Sequence, residues 1–216
     1  MKLLALDIDG TLITKEHVLT EGVRSALLRA QRDYDTRIIL ASGRPTPALG
    51  ALAEALQIAD YGGYLMPFNG GILEAGSKRL LSAQLLDANL IPQLYRLVQE
   101  HGANILTYTE EHILTEREDD PYAEKEVVIT GMPLKRVPSF VEAATESLPK
   151  CLAVGPLEKL IPLEAAVKEQ LGTRVGAFRS SDYFLELVPL GVNKGSALAC
   201  LLDVLGMTPQ NLIAIG

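Results

Sequence analysis

After Met1 the chain opens with Lys2-Leu3-Leu4-Ala5-Leu6-Asp7-Ile8-Asp9-Gly10-Thr11. An almost continuous apolar run that ends in acids is typical of a strand buried on both faces of a parallel sheet. Gly10 follows the second acid and allows the chain to turn sharply. The stretch therefore predicts a buried strand of a parallel sheet with two carboxylates, Asp7 and Asp9, at its carboxyl end.

Segments of strand length alternate with segments of helical periodicity on either side of a long middle region. This alternation predicts a Rossmann-like, doubly wound α/β fold around a parallel sheet. The further strands are predicted at 37–41, 64–68 and 212–215. Three helices are predicted: one that starts at Thr20 and Glu21, one at 48–56, and one at 194–205 that stops at Gly206.

The middle region has a looser pattern, in which helix-like stretches separate short strands. We predict an α+β domain inserted into the first one, so that the core comprises residues 1–81 and 187–216 and the insertion comprises residues 82–186. The predicted helices of the insertion are 91–101, 139–147 and 163–171, and its predicted strands are 105–108, 151–154 and 184–188.

Composition excludes several classes of function. The 216 residues are 48% hydrophobic and 22% charged, with a net charge of -7, which argues against a nucleic-acid or anionic-membrane surface. No apolar run approaches the length of a membrane span, and Asp7 comes too early for a secretory signal, so we expect a cytoplasmic protein. Cys151 and Cys200 lack metal-site or disulfide spacing and are interpreted as buried thiols.

Asp7 and Asp9 lie where open α/β sheets place their ligands. Strand residues two apart point the same way, so the carboxylates would repel each other unless a cation intervened, and Mg²⁺ is the usual oxygen-seeking ion. A capped Asp-Gly turn without a site is the plain alternative. A calcium loop fits worse, because Val18 stands where such a loop needs glutamate.

Two further segments supply groups that suit an anion. Ser42 follows an apolar strand, and its hydroxyl with the amides around Gly43 could bind a phosphate oxygen. Lys194 opens a helix, and its ammonium could neutralise Asp7 and the charge of a transferred phosphoryl group. Taken singly, each is also compatible with an ordinary turn or a solvated side chain.

The segments Asp7-Ile8-Asp9-Gly10-Thr11-Leu12, Ala41-Ser42-Gly43-Arg44 and Gly191-Val192-Asn193-Lys194-Gly195 resemble the first three motifs of haloacid dehalogenase-type phosphatases. The closest resemblance is to the Cof-like branch, which carries a large inserted cap. Segments 120–126 and 183–189 of the insertion resemble the members that hydrolyse sugar phosphates.

The resemblance implies a site and a chemistry. Asp7 would be the nucleophile that forms an aspartyl-phosphate, and Asp9 the general acid and base. Mg²⁺ would bind the Asp7 carboxylate and the Asp9 main-chain carbonyl. Phosphate or substrate would be held by Ser42, Gly43, Arg44, Asn69 and Lys194.

The expected partner is a small phosphorylated metabolite, with no nucleic acid and no membrane, and a homodimer is left open. His17, His101 and His112 share no spacing and are interpreted as ordinary surface or cap residues.

The family continues after Leu212-Ile213-Ala214-Ile215-Gly216 with two more metal-binding acids that this sequence does not contain. We therefore expect an incomplete core, with weak metal binding and low stability. Three functions stay open: a phosphatase, a phosphomutase, and a non-catalytic module or fragment that binds a phosphorylated metabolite.

Overall fold

The computed structural model describes residues 1–216 as two compact units, one of residues 1–83 and 193–216 and the other of residues 84–192. No helix in it combines the length and the apolar character that crossing a membrane requires. The first stretch of the chain contains β1 (Lys2–Asp7), α1 (Glu21–Tyr34), β2 (Thr36–Ala41), α2 (Gly50–Ala55), β3 (Tyr64–Met66), β4 (Ile72–Ala75) and β5 (Leu80–Ala83).

The remaining elements lie in the second unit and in residues 193–216, which belong to the first unit. Residues 84–192 contain α3 (Ile91–Glu100), β6 (Asn104–Tyr108), β7 (Ile113–Thr115), α4 (Pro121–Thr130), β8 (Leu134–Arg136), α5 (Phe140–Ala143), β9 (Cys151–Val154), α6 (Leu157–Leu171), β10 (Val175–Ser181) and β11 (Phe184–Pro189). The chain then forms α7 (Lys194–Leu205) and β12 (Leu212–Ile215).

The sheet of the first unit has the order β12-β1-β2-β3-β4-β5. Strands β12, β1, β2 and β3 are parallel, so their carboxyl ends meet at one edge. Strands β4 and β5 add antiparallel pairs that the sequence pattern did not predict. The predicted α/β fold is confirmed, and β1 has a parallel neighbour on each side.

Alternate residues of β1 and β2 face opposite sides of this sheet. Leu3 and Ala5 pack in a cluster with α7, whereas Leu6 and Ile8 pack in a second cluster with Leu27 of α1. Helices thus cover both faces, which is why the strands read as continuous apolar runs rather than alternating ones.

Prolines explain two differences from the predicted elements of this unit. Strand β3 ends at Met66 rather than residue 68, because Pro67 lacks a main-chain N–H and a short 3-10 turn follows it. The helix expected at 48–56 is divided into a 3-10 turn (Thr46–Leu49), which begins beside Pro45 and Pro47, and helix α2.

The second unit is an α+β domain with its own sheet, in the order β10-β11-β9-β6-β7-β8. Its hydrophobic core includes Leu94, Phe140, Leu163 and Leu185. Strand β11 runs on to Pro189 and pairs along its length with β10, beyond the boundary at 186 expected from the sequence.

Helices of this unit differ from the predicted ones in three places. The helix expected at 139–147 is only the short α5, and α6 begins at Leu157, earlier than expected, with Pro162 inside its first turns. Helix α4 was not predicted, although Asp120 caps it by accepting from the main-chain N–H groups of Tyr122 and Ala123. Its mixed apolar and charged residues leave no clear apolar stripe.

The two cysteines differ in environment. Cys151 is buried in β9, and burial raises the pKa of its thiol to about 12. Cys200 in α7 is only partly buried. Both are free thiols, as expected, but only Cys151 is fully enclosed.

A buried ion pair crosses the sheet of the second unit. Lys150 Nζ lies 2.9 Å from Glu186 Oε2, with side-chain exposures of only 2% and 6%. Ser180 Oγ donates to the other Glu186 oxygen at 2.8 Å, and Lys150 Nζ lies 5.1 Å from the centre of the Tyr108 ring. The charges are thus held by each other and by polar or aromatic neighbours.

We expect Lys150→Met to lower the free energy of unfolding by about 3–5 kcal/mol, because it leaves the Glu186 carboxylate buried without its cation. Urea denaturation followed by circular dichroism measures this. The double variant Lys150→Met/Glu186→Leu is the control and should recover most of the loss. If Lys150→Met were as stable as the unmodified protein, the ion pair would not contribute to the free energy of unfolding in this way.

Candidate active site

Asp7 is the last residue of β1, at the edge where the parallel strands end. Its Oδ1 accepts from the Ile8 main-chain N–H at 2.8 Å and from Lys194 Nζ at 2.6 Å. Its side chain is 31% exposed, so the carboxylate is held in place yet remains open to small molecules. The geometry brings together two residues that the sequence analysis assigned to one site.

Lys194 reaches Asp7 because helix α7 starts at a defined residue. Asn193 caps the helix: its side chain accepts from the Ser196 N–H at 2.9 Å, and Ser196 Oγ accepts from the Asn193 N–H at 3.1 Å. This reciprocal arrangement fixes the first turn. The positive end of the helix dipole and the Lys194 ammonium therefore lie on the same side of the site as the carboxylate.

Asp9 is held by a different cation. Arg44 Nε donates to Asp9 Oδ2 at 3.0 Å and Arg44 Nη2 donates to Asp9 Oδ1 at 2.6 Å, a two-pronged ion pair. The Arg44 side chain is only 10% exposed, whereas that of Asp9 is 45% exposed. Each of the two neighbouring carboxylates thus has its own positive partner.

His17 also belongs to this group. Its Nδ1 lies 3.2 Å from Arg44 Nη2 and 3.7 Å from Asp9 Oδ1. The sequence predicts an ordinary surface or cap residue here, since no motif distinguishes His17 and its position depends on a turn in which its φ is +59°. His101, by contrast, contacts the Leu97 carbonyl at the end of α3, outside this group.

Ser42 and Gly43 form the loop after β2. The Ser42 N–H donates to the Met66 carbonyl, and Ser42 Oγ accepts from the Arg44 N–H at 3.1 Å. The hydroxyl proton is left to donate to a bound oxyanion. Ser42 is 1% exposed, so a bound oxygen at this hydroxyl would be screened from water.

Asn69 lies in a loop in which three consecutive residues have positive φ, namely Phe68 (+52°), Asn69 (+57°) and Gly70 (+90°). Its N–H donates to the Ser42 carbonyl at 2.8 Å, and the Phe68 N–H donates to the Arg44 carbonyl at 2.9 Å. The Asn69 amide oxygen would lie 3.2 Å from a Cβ placed on Gly43. The loop therefore holds the Ser42 to Arg44 segment in place.

Gly70 brings the same loop against α7. A Cβ on Gly70 would lie 2.3 Å from Ala197 Cβ, far inside van der Waals contact. The close approach and the φ of +90° both require glycine. The loops after β2 and β3 and the start of α7 are consequently packed into one assembly around the ends of β1.

The carboxylates offer a limited set of metal ligands. No three histidine, cysteine or acidic side chains lie together in an arrangement that could hold a metal ion. Asp7 Oδ1 already accepts two hydrogen bonds, which leaves Oδ2, and both carboxylate oxygens of Asp9 are bonded to Arg44. These hard oxygen donors fit Mg²⁺, which takes one or two carboxylates and keeps several waters or phosphate oxygens.

Comparison with known proteins gives a consistent family. A family model described as haloacid dehalogenase-like hydrolase matches residues 4–216. The HMP-PP phosphatase of Enterobacter sp. (strain 638) is 30% identical over 220 residues, which cover 100% of this chain and 77% of that protein. A 5-amino-6-(5-phospho-D-ribitylamino)uracil phosphatase of Bacillus subtilis is 25% identical over 240 residues, covering 100% and 81%.

A solved structure agrees with these sequences. The crystal structure of a haloacid dehalogenase-like hydrolase from Bacteroides thetaiotaomicron superposes with a TM-score of 0.94 at 38% sequence identity. The match covers 100% of this chain and 81% of that one.

We expect Gly70→Ala to destabilise the protein by at least about 2 kcal/mol, because the new methyl group would overlap Ala197 and the residue would be strained at positive φ. Gly22→Ala in α1 is the matched control, since a Cβ there meets nothing within 4 Å. That control should stabilise by about 0.5–1 kcal/mol. Thermal denaturation compares the two, and equal melting temperatures would contradict the close packing described above.

Replacement of Lys194 tests the local positive charge. We expect Lys194→Met to weaken the binding of inorganic phosphate by roughly 10- to 100-fold, the effect of losing one hydrogen bond between charged groups. Isothermal titration calorimetry measures the affinity. Lys168→Met removes a surface lysine that pairs with Glu164 and should leave the affinity unchanged. Unchanged binding in Lys194→Met would exclude Lys194 from the anion site.

Proposed function

The chain belongs to the haloacid dehalogenase-like hydrolases, and on that premise we propose that it hydrolyses small phosphate monoesters, with Asp7 as the nucleophile. It is a phosphoric monoester hydrolase by the agreement of the family model with the named phosphatases. The observation that carries the proposed mechanism is the pair of separately held carboxylates, Asp7 with Lys194 and Asp9 with Arg44.

In the first step, a carboxylate oxygen of Asp7 would attack phosphorus, forming an acyl-phosphate bond while the bond between phosphorus and the ester oxygen breaks. Asp9, protonated for this step, would give its proton to the departing alcohol. In the second step, Asp9 would take a proton from water as that water attacks phosphorus. The Asp7–phosphorus bond then breaks and inorganic phosphate leaves.

Charge is the main obstacle, since an anionic nucleophile must approach an anionic phosphate. The Lys194 ammonium is bonded to the Asp7 carboxylate, and Ser42 has a hydroxyl proton to donate. Lys194 and Ser42 can therefore stabilise the phosphoryl oxygens as charge develops on them. Mg²⁺, bound by the Asp7 carboxylate and the Asp9 main-chain carbonyl, would add further charge neutralisation and orient the phosphate.

The proposed substrate class is sugar phosphates and similar small phosphorylated metabolites. The support is the resemblance of segments 120–126 and 183–189 to sugar phosphatases, and the phosphoribityl group in the name of one relative. Gly43 and Asn69 would line the phosphate side of the site, as their packing against Ser42 supports.

We expect Asp7→Asn to reduce Mg²⁺-dependent phosphate release by more than about a thousandfold, because the amide cannot act as the nucleophile. The assay uses a panel of sugar phosphates and p-nitrophenyl phosphate. Asp203→Asn, which neutralises an exposed acid of α7, is the matched control and should retain full activity.

Two other results would contradict the proposal. Activity retained in Asp7→Asn would exclude Asp7 as the nucleophile. Conversion of a sugar phosphate to an isomeric ester, without release of inorganic phosphate, would identify a phosphomutase instead.

A further inference from the structure

We propose that Arg44 and His17 are positioning residues that act through Asp9: Arg44 orients the Asp9 carboxylate for proton transfer, and His17 holds the Arg44 guanidinium in place. The inference rests on the proposed function, in which Asp9 is the general acid and base. It departs from the expectation that Arg44 serves mainly to bind phosphate.

The first observation is the geometry of the Arg44 and Asp9 pair. Both Asp9 oxygens accept from different nitrogens of one guanidinium, at 3.0 Å and 2.6 Å. A planar fork of this kind fixes the rotation of a carboxylate as well as its distance, which a lysine cannot do. The Asp9 side chain is 45% exposed, so packing constrains it little and the Arg44 fork supplies its orientation.

The second observation is that Arg44 is itself anchored. Its side chain is 10% exposed, its main-chain N–H donates to Ser42 Oγ at 3.1 Å, and its carbonyl accepts from the Phe68 N–H at 2.9 Å. A side chain whose backbone is fixed at both ends is suited to transmit a fixed position to its partner.

The third observation is the placement of His17. Arginine has no acceptor, so in the 3.2 Å contact between Arg44 Nη2 and His17 Nδ1 the histidine nitrogen accepts. The ring proton is then on Nε2. The acceptor directs the same Nη2 that serves Asp9 Oδ1 and thereby limits rotation of the guanidinium.

The turn that carries His17 is built for this contact. The His17 N–H donates to the Thr14 carbonyl at 2.9 Å, and the Thr14 N–H donates to the Val18 carbonyl at 3.0 Å. His17 adopts a φ of +59°, a backbone conformation that residues other than glycine seldom take. The turn brings the His17 ring back to the Asp9 side chain, with Nδ1 3.7 Å from Asp9 Oδ1.

This arrangement is compatible with proton transfer. Only one Asp9 oxygen needs to exchange a proton with the substrate, and the other can keep its hydrogen bond to Arg44 throughout both steps. Orientation is thus maintained while the protonation state changes.

The test compares leaving groups. A sugar alcohol is a poor leaving group that needs a proton from Asp9, whereas p-nitrophenolate leaves without one. We expect Arg44→Gln to lower kcat for a sugar phosphate about 100-fold, the range of one general-acid contribution, and kcat for p-nitrophenyl phosphate less than about tenfold. In an Asp9→Asn background, Arg44→Gln should cause no further loss with the sugar phosphate.

Equal losses with both substrates, seen mainly as a raised KM, would instead assign Arg44 to phosphate binding and overturn the inference. Arg32→Gln is the matched control, because Arg32 makes the same two-pronged pair with Asp33 on an exposed surface. Arg32→Gln should leave kcat unchanged for both substrates.

Substitutions of His17 separate its acceptor from its backbone strain. His17→Asn keeps an acceptor near the position of Nδ1 and tolerates positive φ, so we expect near-normal kcat. His17→Gly relieves the φ but removes the acceptor, and should lower kcat for the sugar phosphate about tenfold, as a misplaced catalytic group does. Full activity in His17→Gly would exclude His17 from the positioning role.

A readout that needs no activity keeps this inference distinct from the proposed function. In ¹⁵N-resolved NMR spectra the Arg44 Nε–H should exchange slowly with water, and His17→Gly should accelerate that exchange while His17→Asn should not. Rapid exchange in the unmodified protein would overturn the network even if the enzyme is active. A protected Nε–H in a protein that hydrolyses no ester would instead count against the proposed function alone.

Discussion

Electrostatic repulsion between two carboxylates at the end of one buried strand is the constraint around which the first unit is organised. Asp7 and Asp9 stand two residues apart, and neither can be placed near the other without compensation. The compensation is divided between Lys194 on Asp7 and Arg44 on Asp9. Because each cation serves one acid, the two can do different chemical work in the same small volume.

The topology of the sheet brings these cations together from distant parts of the chain. Arg44 follows β2, the parallel neighbour of β1 on one side, and Lys194 opens the helix that leads into β12, its parallel neighbour on the other. The loop of Phe68, Asn69 and Gly70 then connects the Arg44 segment to the start of α7 by main-chain hydrogen bonds and close packing. The positive φ values of Phe68 and Asn69, both non-glycine residues, store strain at this position, as functional sites often do.

The strands and helices that the sequence predicted well are those with a local cause. Helix α7 begins and ends where its Asn193 cap and Gly206 indicate, and β12 and β9 match their apolar runs. Strands β4, β5 and β7 and helix α4 escaped prediction, because the strands have only three or four residues each and the helix mixes apolar and charged residues.

The candidate site was likewise predictable only in part. Asp7, Asp9, Ser42 and Lys194 could be predicted to share one candidate site because they follow strands or open a helix in a recognisable order. The contact of Arg44 with Asp9 and the participation of His17 could not, since both depend on side-chain directions and on one turn with unusual φ.

The pairing of Asp7 with Lys194 joins residues 187 positions apart. During synthesis Asp7 emerges from the ribosome 187 residues before Lys194, so no nascent chain that lacks Lys194 can hold this ion pair. Residues 84–192 have a hydrophobic core of their own and can fold before β1 has acquired its later partner β12. A folded insertion also spares the chain the entropy of closing a long flexible loop. The ion pair between Asp7 and Lys194 can therefore form only after the start of α7 has been made.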